Sequence, residues 1–149
     1  MNLHGKTLVI TGASSGIGAE TARLARFCGA RVIGMDRNDP LISLDGFVKV
    51  DMGDPAAIDA AVAELPPVID ALVNAAGISG LADRDLVARI NYLGLRHLTE
   101  ALVPRLRGGA VVNVASILGY DWQSRLSAHT ALAETPDFAA GQGWLTANP

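Results

Sequence analysis

Gly12, Gly16 and Gly18 have the residue type and the spacing that a phosphate-binding loop requires. They follow an apolar, β-branched run at residues 7–11, which is typical of a buried strand, and they precede a predicted helix at residues 19–27. Glycine has no Cβ, so main-chain N–H groups stay open to a pyrophosphate, and the N-terminus of the helix adds unpaired donors with a partial positive charge. This arrangement predicts dinucleotide binding. The alternative is a plain glycine turn between strand and helix.

A second predicted strand ends at Asp36. This carboxylate lies eighteen residues beyond Gly18, close to the spacing at which an acid accepts hydrogen bonds from the adenosine ribose. It would repel a 2′-phosphate, so it favours NAD over NADP, although Arg37 beside it is able to reach a 2′-phosphate. The alternative role for Asp36 is that of a capping or turn acid. Within the glycine loop, Ser14 and Ser15 are expected to supply further hydroxyl donors.

The rest of the sequence alternates predicted strands with predicted helices. Strands are expected at residues 46–50, 70–74 and 110–115, and helices at residues 56–64, 85–106, 124–134 and 137–147. This alternation predicts an α/β fold, a doubly wound parallel sheet of the Rossmann type with strand order 3-2-1-4-5. Ligands bind beyond the carboxyl ends of the strands in such sheets. Ser116, at the end of the fifth strand, is therefore directed toward the same crevice as the glycine loop.

Asn91 is a polar residue on the apolar face of the long helix predicted at residues 85–106. Apolar residues recur on that face at steps of three and four. A buried asparagine needs hydrogen-bonding partners, and the ordinary explanation is that neighbouring main-chain groups supply them.

The composition limits the class of protein. The chain has 149 residues, a net charge of −3 and 50% hydrophobic residues, which suits one domain with a sheet covered on both faces. The arginines are scattered, so nucleic-acid binding is not expected, and no metal site is predicted. Cys28 is predicted to be a small buried residue on the first helix. The sequence shows no secretory segment and no membrane-length apolar run, so we expect a cytoplasmic protein that does not bind a membrane.

Taken together, these motifs resemble the short-chain dehydrogenase/reductase family. Residues 11–18 match its T-G-x-x-x-G-x-G motif, and residues 74–77 are similar to its N-N-A-G motif, with Ala75 in place of the second asparagine. The resemblance covers residues 5 to about 119 and implies an NAD(P)-dependent oxidoreductase. The implied cofactor-binding residues are Gly12, Ser14, Ser15, Gly16, Ile17, Gly18, Asp36, Arg37, Asp51, Met52, Asn74, Ala75, Ala76 and Gly77.

The same resemblance implies roles for three polar residues. Asp51 lies where the family places an acid on the adenine amino group. Ser116 falls on the catalytic serine, which would donate a hydrogen bond to the substrate oxygen, and Asn91 falls on the catalytic asparagine, which would hold a water in a proton relay. The alternative for Ser116 is a strand-end serine that caps a turn.

The family's general acid/base pair, Tyr-x-x-x-Lys, is not found in this sequence. The family places it shortly after the serine, where this chain reads Ala128-His129-Thr130-Ala131. No lysine follows Lys49. His129 is able to take a proton, but a lone histidine on a surface helix is more often only solvated.

Two hypotheses follow from this departure. In the first, residues 1–119 are the NAD-binding domain of a dehydrogenase whose later strands lie outside this chain, because the bare apolar edge of the fifth strand needs a cover. Residues 120–149 are then a helical insertion or the start of the substrate region. Such an insertion resembles the bacterial 3α-hydroxysteroid dehydrogenase/carbonyl reductase subgroup, and Trp122, Phe138 and Trp144 are its expected apolar anchors.

Under this hypothesis the substrate is a small secondary alcohol or ketone, such as a hydroxysteroid. The protein is expected to be a homo-oligomer, a dimer or a tetramer, and this chain alone is expected to be inactive. The second hypothesis is a non-catalytic dinucleotide-binding module that a partner chain completes at the fifth strand.

Overall fold

A computed structural model describes residues 2–106 and 108–148. Five parallel strands form one sheet in the order β3-β2-β1-β4-β5. The strands are β1 (Thr7–Thr11), β2 (Arg31–Asp36), β3 (Gly46–Lys49), β4 (Ala71–Asn74) and β5 (Ala110–Asn113). The sheet confirms the predicted doubly wound fold. Its strand order reverses between β1 and β4, which is where such sheets form a ligand crevice at their carboxyl ends.

Six α-helices connect and follow the strands in the described part of the chain. They are α1 (Gly16–Phe27), α2 (Pro55–Glu64), α3 (Arg84–Ala88), α4 (Leu95–Leu102), α5 (Leu126–Ala133) and α6 (Phe138–Ala147). The first helix begins at Gly16, three residues earlier than predicted, so the glycine loop between β1 and α1 is shorter than expected. The prediction for Cys28 is wrong in detail, because this residue is partly exposed at the C-terminal cap of α1.

The helix predicted at residues 85–106 is continuous but not α-helical throughout. A π-helical segment, Arg89–Gly94, lies between α3 and α4, and a 3₁₀ turn, Val103–Arg105, follows α4. Apolar residues spaced three and four apart do not distinguish an α-helix from one that contains a single wider turn, so the sequence pattern did not show the π segment.

Two apolar clusters cover the two faces of the sheet. Because successive strand residues point to opposite faces, Val9 packs on the side of α2 and α4, whereas Leu8 and Ile10 pack on the side of α1. Ile58 of α2 and Leu98 of α4 are fully buried in the first cluster, where each contributes about 1.5–3 kcal/mol by its burial. The second cluster also contains residues of α1, and those that α1 contributes are small, such as Ala22.

The end of the chain packs against the π segment and α4. Phe138 and Leu145 of α6 form a third buried cluster with Leu93, and Trp144 packs against it, as expected of two of the three predicted anchors. The guanidinium of Arg96 donates hydrogen bonds to the Thr135 carbonyl (2.6 Å) and hydroxyl (3.1 Å). The third predicted anchor, Trp122, is 50% exposed and lies outside this cluster.

Candidate functional site

A cleft of about 280 Å³ opens at the carboxyl ends of the central strands. It is lined by Gly12, Ser15, Gly16, Ile17, Asp36, Arg37, Asn38, Val50, Asp51, Met52, Ala75, Ala76, Gly77, Ile78 and Ile90. The structure thus brings together every predicted cofactor-binding residue except Ser14, Gly18 and Asn74. Asn38, Val50, Ile78 and Ile90 were missed. Each is close in sequence to a predicted residue, so adjacency was the signal that could have found them.

The glycine loop has the shape of a cradle for an anion. Gly12 and Gly16 have positive φ angles of 68° and 53°, a conformation that residues with a Cβ rarely adopt. A Cβ at Gly16 would meet nothing within 4 Å, so this part of the loop faces open space. The side chain of Ser15, the N-cap of α1, caps none of the described N–H groups, which leaves the start of the helix open to a phosphate.

Gly18 acts from behind the cleft rather than in it. A Cβ at this position would overlap the Gly12 carbonyl oxygen, so only glycine lets the first turn of α1 pack against the loop. Gly18 therefore has a packing role in this structure, and its predicted contact with a cofactor stays a prediction.

Ser14 also faces away from the cleft. Its hydroxyl donates to the Asn38 carbonyl, and its main-chain N–H donates to Oδ2 of Asp36 (3.1 Å). The side chain is buried, so the expectation that Ser14 offers its hydroxyl to a phosphate is wrong. Ser14 instead ties the glycine loop to the end of β2.

Asp36 is half-buried at the cleft wall. Its Oδ2 accepts from Ser14 N and its Oδ1 accepts from Asn38 N (2.9 Å). Each carboxylate oxygen keeps a free acceptor position, because an ionised carboxylate has about four lone-pair sites. Asp36 therefore forms the turn contacts that were its alternative role and still presents an acceptor to the cleft. Arg37 lines the cleft beside it and is exposed.

The loop after β4 is held by side chains on both sides. The hydroxyl of Thr11 accepts from Ala75 N and Ala76 N, both at 3.0 Å. Asn74 is buried, and its Nδ2 donates to Oδ1 of Asn113 (2.8 Å) and to the hydroxyl of Thr99 (3.0 Å). The side chain of Asn74 therefore connects β4 to β5 and α4 and does not line the cleft, and its role in cofactor binding stays a prediction.

Asn91 lies in the π segment, with its amide directed at the loop after β4. Oδ1 accepts from Ile78 N (2.8 Å) and Nδ2 donates to the Ile78 carbonyl (3.0 Å). Main-chain groups thus satisfy this polar residue, as the ordinary explanation predicts. One N–H and one lone pair of the amide remain for a further partner.

Ser116 is exposed at the end of β5 and does not line the cleft. It is the N-cap of a 3₁₀ turn, Ile117–Gly119, and its Oγ accepts from Leu118 N (3.2 Å). Since the hydroxyl oxygen is the acceptor in this contact, its proton is free to be donated elsewhere. In the described residues Ser116 and Asn91 are not hydrogen-bonded to each other.

Asp51 and Met52 form a tight turn at the opposite wall of the cleft. Oδ1 of Asp51 accepts from Gly53 N (2.8 Å), and Met52 is buried beneath it. Within residues 2–106 and 108–148, no group of three or more His, Cys, Asp and Glu side chains is placed to hold a metal ion. In the same described ranges, no helix has both the length and the apolarity needed to cross a bilayer.

The sequence and the fold of this chain are similar to those of known proteins. The family model for short chain dehydrogenase matches residues 6–131. The coniferyl-alcohol dehydrogenase of Pseudomonas sp. strain HR199 is 53% identical over all of this chain, and the chain spans 59% of that relative. The 3-alpha-hydroxysteroid dehydrogenase of Pseudomonas sp. B-0831, solved with NADH, is 30% identical with a TM-score of 0.75. That match covers 93% of this chain and 56% of the other.

A second solved structure with NADH is similar. The 3-ketoacyl-(acyl-carrier-protein) reductase of Brucella melitensis has a TM-score of 0.69 at 25% identity, and the match covers 95% of this chain and 73% of that one. This chain therefore spans only part of the length of each of these three proteins.

Proposed function

Because the chain belongs to the short-chain dehydrogenase family, we propose that it forms the NAD-binding part of an oxidoreductase that acts on an alcohol or its carbonyl product. The observation that carries the proposal is the cleft itself, in which an open glycine loop and a half-buried carboxylate lie on adjacent strands. Bound there, the nicotinamide ring would exchange a hydride with the substrate carbon.

In this proposal the loop at residues 12–17 binds the pyrophosphate through main-chain N–H groups and the N-terminus of α1. Asp36 accepts hydrogen bonds from the hydroxyls of the adenosine ribose at its remaining lone pairs, and Asp51 accepts a hydrogen bond from the adenine amino group. The carboxylate of Asp36 disfavours a 2′-phosphate. We therefore propose NAD, rather than NADP, as the preferred cofactor, with Arg37 as the residue that gives NADP residual affinity.

For the substrate, the greater sequence identity favours one candidate. The relative at 53% identity is a coniferyl-alcohol dehydrogenase, whereas the hydroxysteroid dehydrogenase is 30% identical. We therefore propose an aromatic alcohol of the coniferyl type before a steroid. Ser116 would donate a hydrogen bond from its free hydroxyl to the substrate oxygen, where it stabilises developing charge, and Asn91 would hold a water with its remaining N–H.

Turnover needs a general acid/base that this chain does not contain as Tyr-x-x-x-Lys. We therefore propose that the 149-residue chain binds NADH but does not turn over substrate by itself. Further polypeptide, in the same protein or a partner, would supply the missing pair. A homo-oligomeric state and a cytoplasmic location stay predictions.

The second candidate function is a dinucleotide-binding module with no catalytic role. The observation that favours it is β5, whose four residues are all exposed, because an apolar edge strand of this kind pairs readily with another chain. On this candidate, a partner's strand would complete the sheet without supplying an acid/base pair.

Isothermal titration of the chain with NADH and NADPH tests the binding proposal, with tighter binding of NADH as the expected result. Turnover of NAD with coniferyl alcohol is then measured for the chain alone and for a chimera that appends the C-terminal part of the coniferyl-alcohol dehydrogenase. The catalytic proposal predicts activity of the chimera only. A chimera that binds NADH without turning over would favour the module, and a chain that binds neither cofactor would contradict both candidates.

A further inference from the structure

The π segment Arg89–Gly94 contacts both loops that form the far wall of the cleft. A π-helix closes hydrogen bonds between residues five apart, whereas an α-helix does so between residues four apart. Arg89 and Gly94 are five apart, and both contact the turn at residues 51–53. Asn91, from the same segment, holds Ile78 on the other side.

The contact of Gly94 with this turn is a main-chain contact. A Cβ at residue 94 would overlap the Met52 carbonyl oxygen. Ile90 lies beside it, lines the cleft and would meet a Cβ on Gly53 at 3.4 Å. The π segment therefore packs directly under the turn that brings Asp51 to the cleft.

Arg89 adds a hydrogen bond from outside this turn. Its Nη2 donates to the Gly53 carbonyl at 2.6 Å, while Gly53 N donates to Oδ1 of Asp51. The turn is thus held at Gly53 from two sides. The Nε of Arg89 is buried and has no hydrogen-bonding partner in the described residues, although the residue as a whole is only partly buried.

We propose that Arg89 is a positioning residue for the adenosine half of the cofactor. It acts through Gly53 to hold Asp51 and Met52 at the cleft wall, and it does not itself line the cleft. The inference rests on the proposed binding of NAD, and it assigns to Arg89 a role at the adenosine end that is separate from the contact of Asn91 with Ile78.

The test uses ADP-ribose, which carries the adenosine and pyrophosphate without nicotinamide, and compares its affinity with that of NADH by titration. Arg89→Met removes the donors and keeps a long apolar stem, and Arg89→Lys keeps a single charged donor. Arg105→Met is the matched control, because Arg105 donates to the carbonyls of Leu65 (2.8 Å) and Pro66 (3.2 Å), and none of these residues lines the cleft.

We expect Arg89→Met to weaken both ADP-ribose and NADH about tenfold, the size of effect of one charge-assisted hydrogen bond. Arg89→Lys is expected to recover part of that loss. Arg105→Met is expected to lower the melting temperature and leave both affinities within about twofold of the wild-type values.

Unchanged ADP-ribose affinity in folded Arg89→Met overturns the inference, as does an equal loss in Arg105→Met. If Arg89→Met does not fold, Arg89→Lys decides by the same measurement: weaker ADP-ribose binding supports the role and unchanged binding overturns it. A wild-type chain that binds neither ADP-ribose nor NADH contradicts the proposed function itself, so the two failures are distinguishable.

Discussion

β1 is the middle strand of the sheet and β5 is an edge strand, and the two have opposite environments although both contain apolar β-branched residues. Val9 and Ile10 of β1 are fully buried, whereas Val111 and Val112 of β5 are 39% and 51% exposed. β1 pairs on both sides, and β5 pairs only with β4 in the described chain. The cleft is therefore built on covered strands, whereas Ser116 follows a strand that is exposed in the described chain.

This contrast separates the expected binding of the cofactor in the cleft from the expected binding of the substrate at Ser116. The cleft wall is held by internal hydrogen bonds of Thr11, Ser14 and Asn91, so binding is expected of this chain alone. Ser116 stands among exposed apolar residues of the following 3₁₀ turn, such as Ile117 and Leu118. A site for substrate there needs further surfaces, because large exposed apolar patches are usually covered by a partner or ligand.

The largest expected effect concerns the covered region, at the glycine loop that follows β1. Gly18→Val would place a side chain against the Gly12 carbonyl, at a cost of about 3 kcal/mol or more if the loop is to keep its shape. We expect loss of measurable NADH binding by titration. The control is Gly143→Ala on α6, where a Cβ meets nothing within 4 Å. Retained NADH affinity in Gly18→Val would show that the loop does not need this close contact.

The next largest effect concerns the exposed edge strand β5. Val112→Lys places a charge on the exposed strand, which is how natural edge strands avoid pairing with one another. We expect less self-association by size-exclusion chromatography, with NADH affinity unchanged. Val9→Lys is the matched change on β1, where full burial predicts unfolding. If Val112→Lys weakens NADH binding as well as self-association, the cleft and the edge strand β5 are not independent.

A moderate effect is expected at the carboxylate of the cleft. Asp36→Asn removes the charge that disfavours a 2′-phosphate, so the preference for NADH over NADPH should fall by about tenfold. Asp45→Asn is the control, since Oδ2 of Asp45 accepts from Val32 N (2.9 Å) in a similar way and lies outside the cleft lining. The affinities of both cofactors are measured by titration. An unchanged ratio of NADH to NADPH affinity in Asp36→Asn would contradict the role of Asp36.

Prediction from sequence succeeded where the signal was local. The strand positions and the loop around Gly12 and Gly16 follow from apolar runs and glycine spacing, each readable within a dozen residues, and the strand order follows from the alternation of strands and helices. The directions of Ser14 and Asn74 were not predictable in this way, because their partners Asn38 and Asn113 are brought to them by the folding of other segments. The π turn was also hidden, since its apolar spacing matches that of an α-helix.

The smallest expected effect lies where the two regions meet, at Asp70. Hydrogen bonds from Lys6 Nζ and from Thr7 N (both 2.8 Å) hold the pKa of this carboxyl below its ordinary value, while its main-chain carbonyl accepts from Ala110 N at the start of β5 (3.0 Å).

A pKa that is lower in the folded state means that the unfolded chain binds the proton more readily. The stabilisation is therefore present above the unfolded pKa and is lost as pH falls through the folded pKa. Asp70→Asn should lower the melting temperature slightly near neutral pH and not at strongly acidic pH, since the side chain is 34% exposed and screened. Lys6→Met should remove most of this pH-dependent difference, because Lys6 is the main cause of the shift. A difference between wild type and Asp70→Asn that grows toward acidic pH would contradict this account of how β1 and β5 are joined.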